Sequence, residues 1–217
     1  AESMPLESRG TVEAIRNNDT IILGYPTQFS NAPYMVRDFI HRNAGLWKGK
    51  KLLCVSTMGA FSGDGAGCTA RLLRKYGAVI LGGLHIRMPD SVCDSKLLKK
   101  TLKQNREIII QADKKIESAA LLIKQGIYPK DGITFISHLA GLLGQRLWFY
   151  GKTADYTDKL KINKSCIGCG LCARNCPVQA IAMQEKRPVW VREKCVMCLA
   201  VCTAARSLPS SMAAGQR

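Results

Sequence analysis

The first two thirds of the chain alternate short apolar runs with amphipathic stretches. Residues 20–26 (TIILGYP) form an apolar run ending in Gly-Tyr-Pro, the pattern of a buried parallel strand entering a loop. Residues 34–43 (YMVRDFIHRN) predict a short helix with Met35, Val36, Phe39 and Ile40 on one face. A second strand, KLLCVST, spans 51–57 and runs into a glycine-rich loop, MGAFSGDGAG, at 58–67. The helix CTARLLRKYG follows at 68–77, with Gly77 at its C-terminal cap. A third strand, AVILGGLHI, covers 78–86, and a long helix is predicted from Asp94 to Gln125, stopping at Gly126. Strand, loop and helix in alternation predict an α/β fold with a parallel sheet. A further helix is predicted over 133–150, and the polar stretch 151–164 reads as a linker. Beyond Ser165 the chain carries closely spaced cysteines, Gly and Pro, so the break falls near residue 152, giving domains 1–152 and 153–217.

Length allows for one ordinary core plus a small appended module, with 217 residues and 47% of them hydrophobic. No run of about eighteen apolar residues occurs, so no membrane span is predicted. The N-terminal AESMPLESRG lacks the basic-then-apolar pattern of a signal peptide. Of ten cysteines, Cys54, Cys68 and Cys93 are scattered. Seven (Cys166, Cys169, Cys172, Cys176, Cys195, Cys198 and Cys202) crowd together. A secreted disulfide scaffold spreads its cysteines over the fold; tight C-x-x-C spacing without an export signal reads as metal binding in a reducing compartment, and the expected location is the cytoplasm.

The formal charge of +16 raises the question of nucleic acid. The basic residues are dispersed, however. Their densest group (Lys96, Lys99, Lys100, Lys103, Arg106, Lys114, Lys115) falls on one predicted helix and reads as a solvated face. An acidic redox partner is the expected docking partner, and neither nucleic acid nor a membrane is expected. Ligating thiolates would lower the charge of a cluster-loaded chain.

The first cysteine motif, Cys166-Ile-Gly-Cys169-Gly-Leu-Cys172-Ala-Arg-Asn-Cys176-Pro177, is C-x2-C-x2-C-x3-C-P without departure. Three thiolates two residues apart sit on one tight loop and can hold three irons of a cubane. The fourth lies where the chain has turned away and reaches a second cluster. Gly168 and Gly170 let the backbone approach the sulfurs. The competing reading is a zinc knuckle, which uses two well-separated cysteine pairs, often with histidine. Four cysteines this close, ending in Cys-Pro, favour iron–sulfur. The VQAIAM that follows resembles the short helix and strand expected after such a loop.

The second motif, Cys195-Val-Met-Cys198-Leu-Ala-Val-Cys202, departs from the pattern. Val201 stands where the third cysteine belongs, and Ala205-Arg206 stand where Cys-Pro belongs. One hypothesis is a single-base frameshift after Leu199. With freely chosen codons for the following residues, one inserted G yields LGCLHRCPFLAIQYG and restores the motif. Sequencing the gene across this stretch tests it, and an unchanged frame refutes it. As written, Cys166, Cys169 and Cys172 serve one cluster without a fourth cysteine. Cys176, Cys195 and Cys198 serve the other, with Cys202 as stand-in. Such sites suit a [3Fe–4S] or a labile [4Fe–4S] cluster, and folding of so small a module should depend on cluster insertion.

The ferredoxin motif joined to the α/β part resembles the flavodoxin-like/ferredoxin fusion proteins of anaerobic bacteria and archaea. The matching stretches are GYPTQFSNAP (24–33) with the helix carrying Arg37-Asp38-Phe39, and TMGAFSGDGAG (57–67). The resemblance implies a flavodoxin-like parallel sheet with helices on both faces and a small C-terminal α+β ferredoxin-type domain. It also implies FMN at the C-terminal strand ends. Pro26, Thr27, Asn31, Thr57, Gly59, Phe61 and Gly63 would then flank the flavin ring. A flavodoxin opens with a strand and a phosphate-gripping loop. MPLESRGTVEAIRNND has no counterpart. The expectation is a sheet lacking its first strand, at a truncated N-terminus, with the ring-side loops kept and the phosphate loop missing. An exposed sheet edge should follow.

The resemblance implies an electron carrier passing single electrons among [4Fe–4S] clusters, FMN and a partner. Two alternatives stand beside it. One is a flavin-dependent reductase of a small molecule, although no catalytic residue stands out. The other is an iron–sulfur carrier that has lost flavin. Cys54 reads as core, Cys68 and Cys93 as packing or surface thiols. His41, His85 and His138 receive no role.

Overall fold

The computed structural model describes residues 3–90, 99–147, 162, 166–191, 195–196, 198 and 201. Two compact units divide the chain: Ala1–Met88 with Ile108–Trp148, and Pro89–Glu107 with Phe149–Arg217.

The first unit is a mixed α/β structure. Strands β1 (Thr20–Pro26), β2 (Lys51–Met58) and β3 (Val79–Arg87) form a parallel sheet in the order β1-β2-β3. Helix α2 (Tyr34–Arg42), with a short 3-10 turn at Ala44–Trp47, connects β1 to β2, and α3 (Gly65–Lys75) connects β2 to β3. On one face Leu23, Tyr25, Leu52 and Cys54 meet Val36, Ile40, Trp47, Ala66, Ala70 and Leu73 in one buried cluster. Trp47 is fully buried, and its indole N–H donates to the Ile40 carbonyl at 3.0 Å. On the opposite face Leu84 and Ile86 of β3 pack with Ala112 and Ala119 of α4 (Leu102–Lys124), beside Val55. Ile22 of β1 stays 61% exposed.

The double glycine of β3 has a packing cause. Asp131 donates its N–H to the Gly83 carbonyl (2.8 Å), and Gly83 donates to the Pro129 carbonyl (2.9 Å), so residues 129–131 run against the outer edge of β3. A Cβ at Gly82 would run into the Pro129 oxygen, and one at Gly83 into the Asp131 oxygen. An otherwise open sheet edge is thereby covered.

Several boundaries differ from the sequence expectations. Helix α1 (Thr11–Asn17) precedes β1 and was not anticipated. Helix α3 starts at Gly65 rather than Cys68, because the glycines at 65 and 67 leave room for the Thr27 side chain and the Gly132 carbonyl. The helix expected from Asp94 begins at Leu102; positions 91–98 lie outside the described residues. Its start is a capping box. The Thr101 hydroxyl accepts from the Gln104 N–H (3.3 Å), and the Gln104 side-chain oxygen accepts from the Thr101 N–H (3.0 Å). Its end is at Lys124 with Gly126 at φ +78°, where Ile127 donates back to Leu122. The helix expected over 133–150 is α5 (Phe135–Gly141), capped by Thr134 and continued by one π-helical turn, Leu142–Arg146.

In the second unit, Cys166–Gly170 lead into the short helix α6 (Leu171–Asn175). Strands β4 (Ile181–Gln184) and β5 (Arg187–Trp190) form an antiparallel hairpin. Its two-residue turn, Glu185-Lys186, has φ of +45° and +62°, the pair of left-handed residues that lets a tight hairpin follow strand twist. Cys176, Ala180 and Ile181 form its buried centre.

Candidate metal centre

The cysteine loop is shaped by its glycines. Gly168 and Gly170 hold φ of +68° and +71°, conformations that L side chains resist. At Gly168 a Cβ would also run into the Lys186 carbonyl oxygen, so the loop lies directly against the hairpin turn. Gly170 caps α6, whose second residue is Cys172.

Six of the seven predicted ligands fall on described residues, and none of the six is in a disulfide. Cys169 and Cys198 are exposed, Cys166, Cys172 and Cys195 are half-buried, and Cys176 is buried. The structure brings Cys172, Cys176 and Cys195 into one packed group with Ala180, Ile181, Val201 and Trp190. Cys202 lies outside the described residues, as does Cys93. The Cys176 sulfur accepts the Ala180 N–H at 3.2 Å. Gln179, itself at φ +52°, closes the same turn by donating its backbone N–H and its side-chain amide to the Cys176 carbonyl, each at 3.1 Å.

The donor set fits an iron–sulfur cluster. Only thiols are contributed, on a loop whose glycines allow close backbone approach. Among the described residues no three His, Cys, Asp or Glu converge on a point where one ion could bind. A cubane does not need such convergence, since each thiolate takes a different iron.

The two loops at the C-terminal ends of β1 and β2 are tied to each other. Pro26 and Thr57 are register partners, and Thr27 donates its N–H to the Thr57 carbonyl at 2.7 Å. The Thr27 and Ser62 hydroxyls are 3.1 Å apart. Asn31 is spent on its own turn: its side chain accepts from the Ala32 N–H (2.9 Å), and its backbone pairs with Gln28. Gly63, at φ +53°, packs so closely that a Cβ would stand 2.5 Å from the Gly141 Cα. Phe61 is about half exposed, and Gly59 lies in the bend between Thr57 and Phe61.

The sequence reading missed a buried ionic cluster beneath these loops. Asp64 is fully buried and faces three side chains: Arg71 (2.5 Å), His138 (2.9 Å) and Arg146 (3.2 Å). Its Oδ1 meets Arg146 without hydrogen-bond geometry. Cys68, expected to be a bland thiol, donates to the Ser30 carbonyl at 3.4 Å and receives both Arg71 and Arg146 on its sulfur. Burial, and then Asp64, push its pKa up against the pull of the two arginines. Cys54 is the inert core thiol expected, its pKa pushed by burial to about 12. His85, read as roleless, accepts the Ala66 N–H on Nε2 at 3.3 Å and is held neutral by burial. Helix periodicity carries no signal for these long-range partners. The π turn that delivers Gln145 to Ser30 (2.7 Å) and Arg146 to Asp64 has none either.

No helix among the described residues is long and apolar enough to cross a membrane. No curated protein matches the chain. Residues 159–205 match the family model of the 4Fe-4S dicluster domain, so the C-terminal part is similar to an iron–sulfur domain and supports an electron-transfer role.

Proposed function

We propose that the protein is a single-electron carrier of the flavodoxin/ferredoxin fusion type. Its C-terminal unit holds iron–sulfur clusters, and its α/β unit is a flavodoxin-like scaffold from which flavin binding has been lost. The observation that carries this reading is the match to the dicluster domain over 159–205, laid on an intact C-x2-C-x2-C-x3-C-P motif.

In this reading Cys166, Cys169 and Cys172 ligate one cluster. Cys176 crosses to the other with Cys195 and Cys198, and Cys202 stands in as the late ligand. When bound, the clusters accept and release one electron at a time. The chain's own part is to present thiolates, to shield the sulfurs with the β4–β5 hairpin and to donate backbone N–H groups, as Ala180 does to Cys176. A redox partner with acidic surface suits the basic chain, and a cytoplasmic location suits its reduced cysteines.

Loss of flavin is supported by the loops themselves. Thr27 and Ser62 satisfy each other, Asn31 caps its own turn, and Gly63 is packed against α5. Those groups would otherwise have to face a ring. Two measurements test the proposal. After anaerobic reconstitution and reduction, the chain should show a cluster EPR signal that one-electron acceptors abolish. Titration with FMN should leave flavin fluorescence unquenched. Absence of the EPR signal overturns the carrier reading; stoichiometric quenching overturns the loss of flavin and favours the two flavin-bearing readings, carrier and reductase, which steady-state turnover with candidate acceptors then separates.

A further inference from the structure

The hairpin carries one group that the described residues leave unsatisfied. Trp190, the last residue of β5, pairs with Ile181 and packs into the group that contains Cys172, Cys176 and Cys195. Its indole nitrogen is sealed from solvent and has no hydrogen-bond partner among the described residues. A buried N–H left unpaired is costly, so such groups are rare and each calls for an explanation, such as an ion, a water or a redox role. The hydrophobic side chains grouped with it are those of Cys, Ala, Ile and Val, and that neighbourhood supplies sulfur once clusters are bound.

Resting on the cluster assignment above, we propose that the Trp190 indole N–H donates a hydrogen bond to a cluster sulfur, either sulfide or ligating thiolate, and thereby sets the potential of that cluster. The reduced cluster carries one more negative charge than the oxidised one. A fixed donor therefore stabilises the reduced form more and raises the potential. The indole differs from the backbone donors of the loop in being removable without disturbing the chain path.

The test is Trp190→Phe, which keeps an aromatic ring in the hairpin and deletes only the donor and one ring's worth of area. Wild type and variant are reconstituted anaerobically, assayed for iron and acid-labile sulfide, and titrated by EPR. The expected result is equal loading with a cluster about fivefold harder to reduce, a midpoint lower by about 40 mV at 59 mV per tenfold for one electron. Equal loading with an unchanged midpoint overturns the assignment of Trp190 and leaves the clusters standing. A wild-type chain that takes up no iron and sulfide overturns both. A second readout needs no variant. The ultraviolet resonance Raman band that reports indole N–H bonding should shift in the wild-type protein when clusters are inserted. A band that stays still on loading refutes the proposal even if Trp190→Phe folds poorly.

Discussion

Replacing Gly168 by alanine should damage the cluster loop far more than the same change at Gly170, although the two residues differ by only 3° in φ. Both sit in the left-handed region, where a Cβ costs about 1–2 kcal/mol. At Gly170 little else is met, since the nearest heavy atom to the new Cβ is Arg174 Nη1 at 3.9 Å. At Gly168 the Cβ runs into the Lys186 carbonyl oxygen, which is backbone in a two-residue turn and has little room to move. Overpacking of that kind adds about 1–3 kcal/mol. The Gly168→Ala cost is therefore about 2–5 kcal/mol against about 1–2 for Gly170→Ala. At the lower bound the first is already about a 30-fold loss of the closed loop. Iron content after reconstitution, and the rate at which the loaded protein loses its visible absorbance in air, read the effect. Gly170→Ala should load well above Gly168→Ala, which should load poorly. Equal behaviour of the two variants would refute the account of the loop resting on the hairpin.

Three further outcomes are expected. Val201→Cys places a thiol at the spacing that the second motif lacks, beside Cys176 and Cys195 in the packed group. It should raise iron and sulfide per chain and slow cluster loss, and unchanged loading would show that the missing ligand is not what limits the site. Asp64→Asn leaves Arg146, only 12% exposed, without its counter-charge, at a cost of about 3–5 kcal/mol in urea unfolding. Arg71 and His138 are 38% and 37% exposed and screened, so they add little. Adding Arg146→Met to Asp64→Asn should recover part of the loss. Finally, burial depresses the His85 pKa below its ordinary 6.5. The unfolded chain then binds the proton more tightly, so this stabilisation is full above about pH 6.5 and is lost as pH falls toward the folded value. Thermal melts of His85→Gln should show a weaker acid dependence over that window.

What the sequence made legible was local. The cysteine spacing, the three strands and the stop at Gly126 each rest on residues within a few positions of one another, and there the chemistry is written in order. The start of α4 was also written, in Thr101 and Gln104, but the apolar and basic periodicity upstream of Leu102 masked the capping box. The Asp64 cluster was not legible. His138 and Arg146 lie 74 and 82 positions away from it, and α5 and the π turn after it set their approach. Gly82-Gly83 reads as an ordinary weakness in a strand until residues 129–131 are seen against it. Trp190 likewise looks like any apolar strand residue, because an unpaired N–H is a property of its surroundings rather than of its sequence neighbours.

The central claim is that the C-terminal unit holds iron–sulfur clusters rather than a single ion. Iron, zinc and acid-labile sulfide, measured on anaerobically reconstituted protein, test it most directly. The account predicts iron and sulfide in about equal amounts, at about three to four or more irons per chain, with no stoichiometric zinc. One zinc or iron per chain without labile sulfide would contradict it.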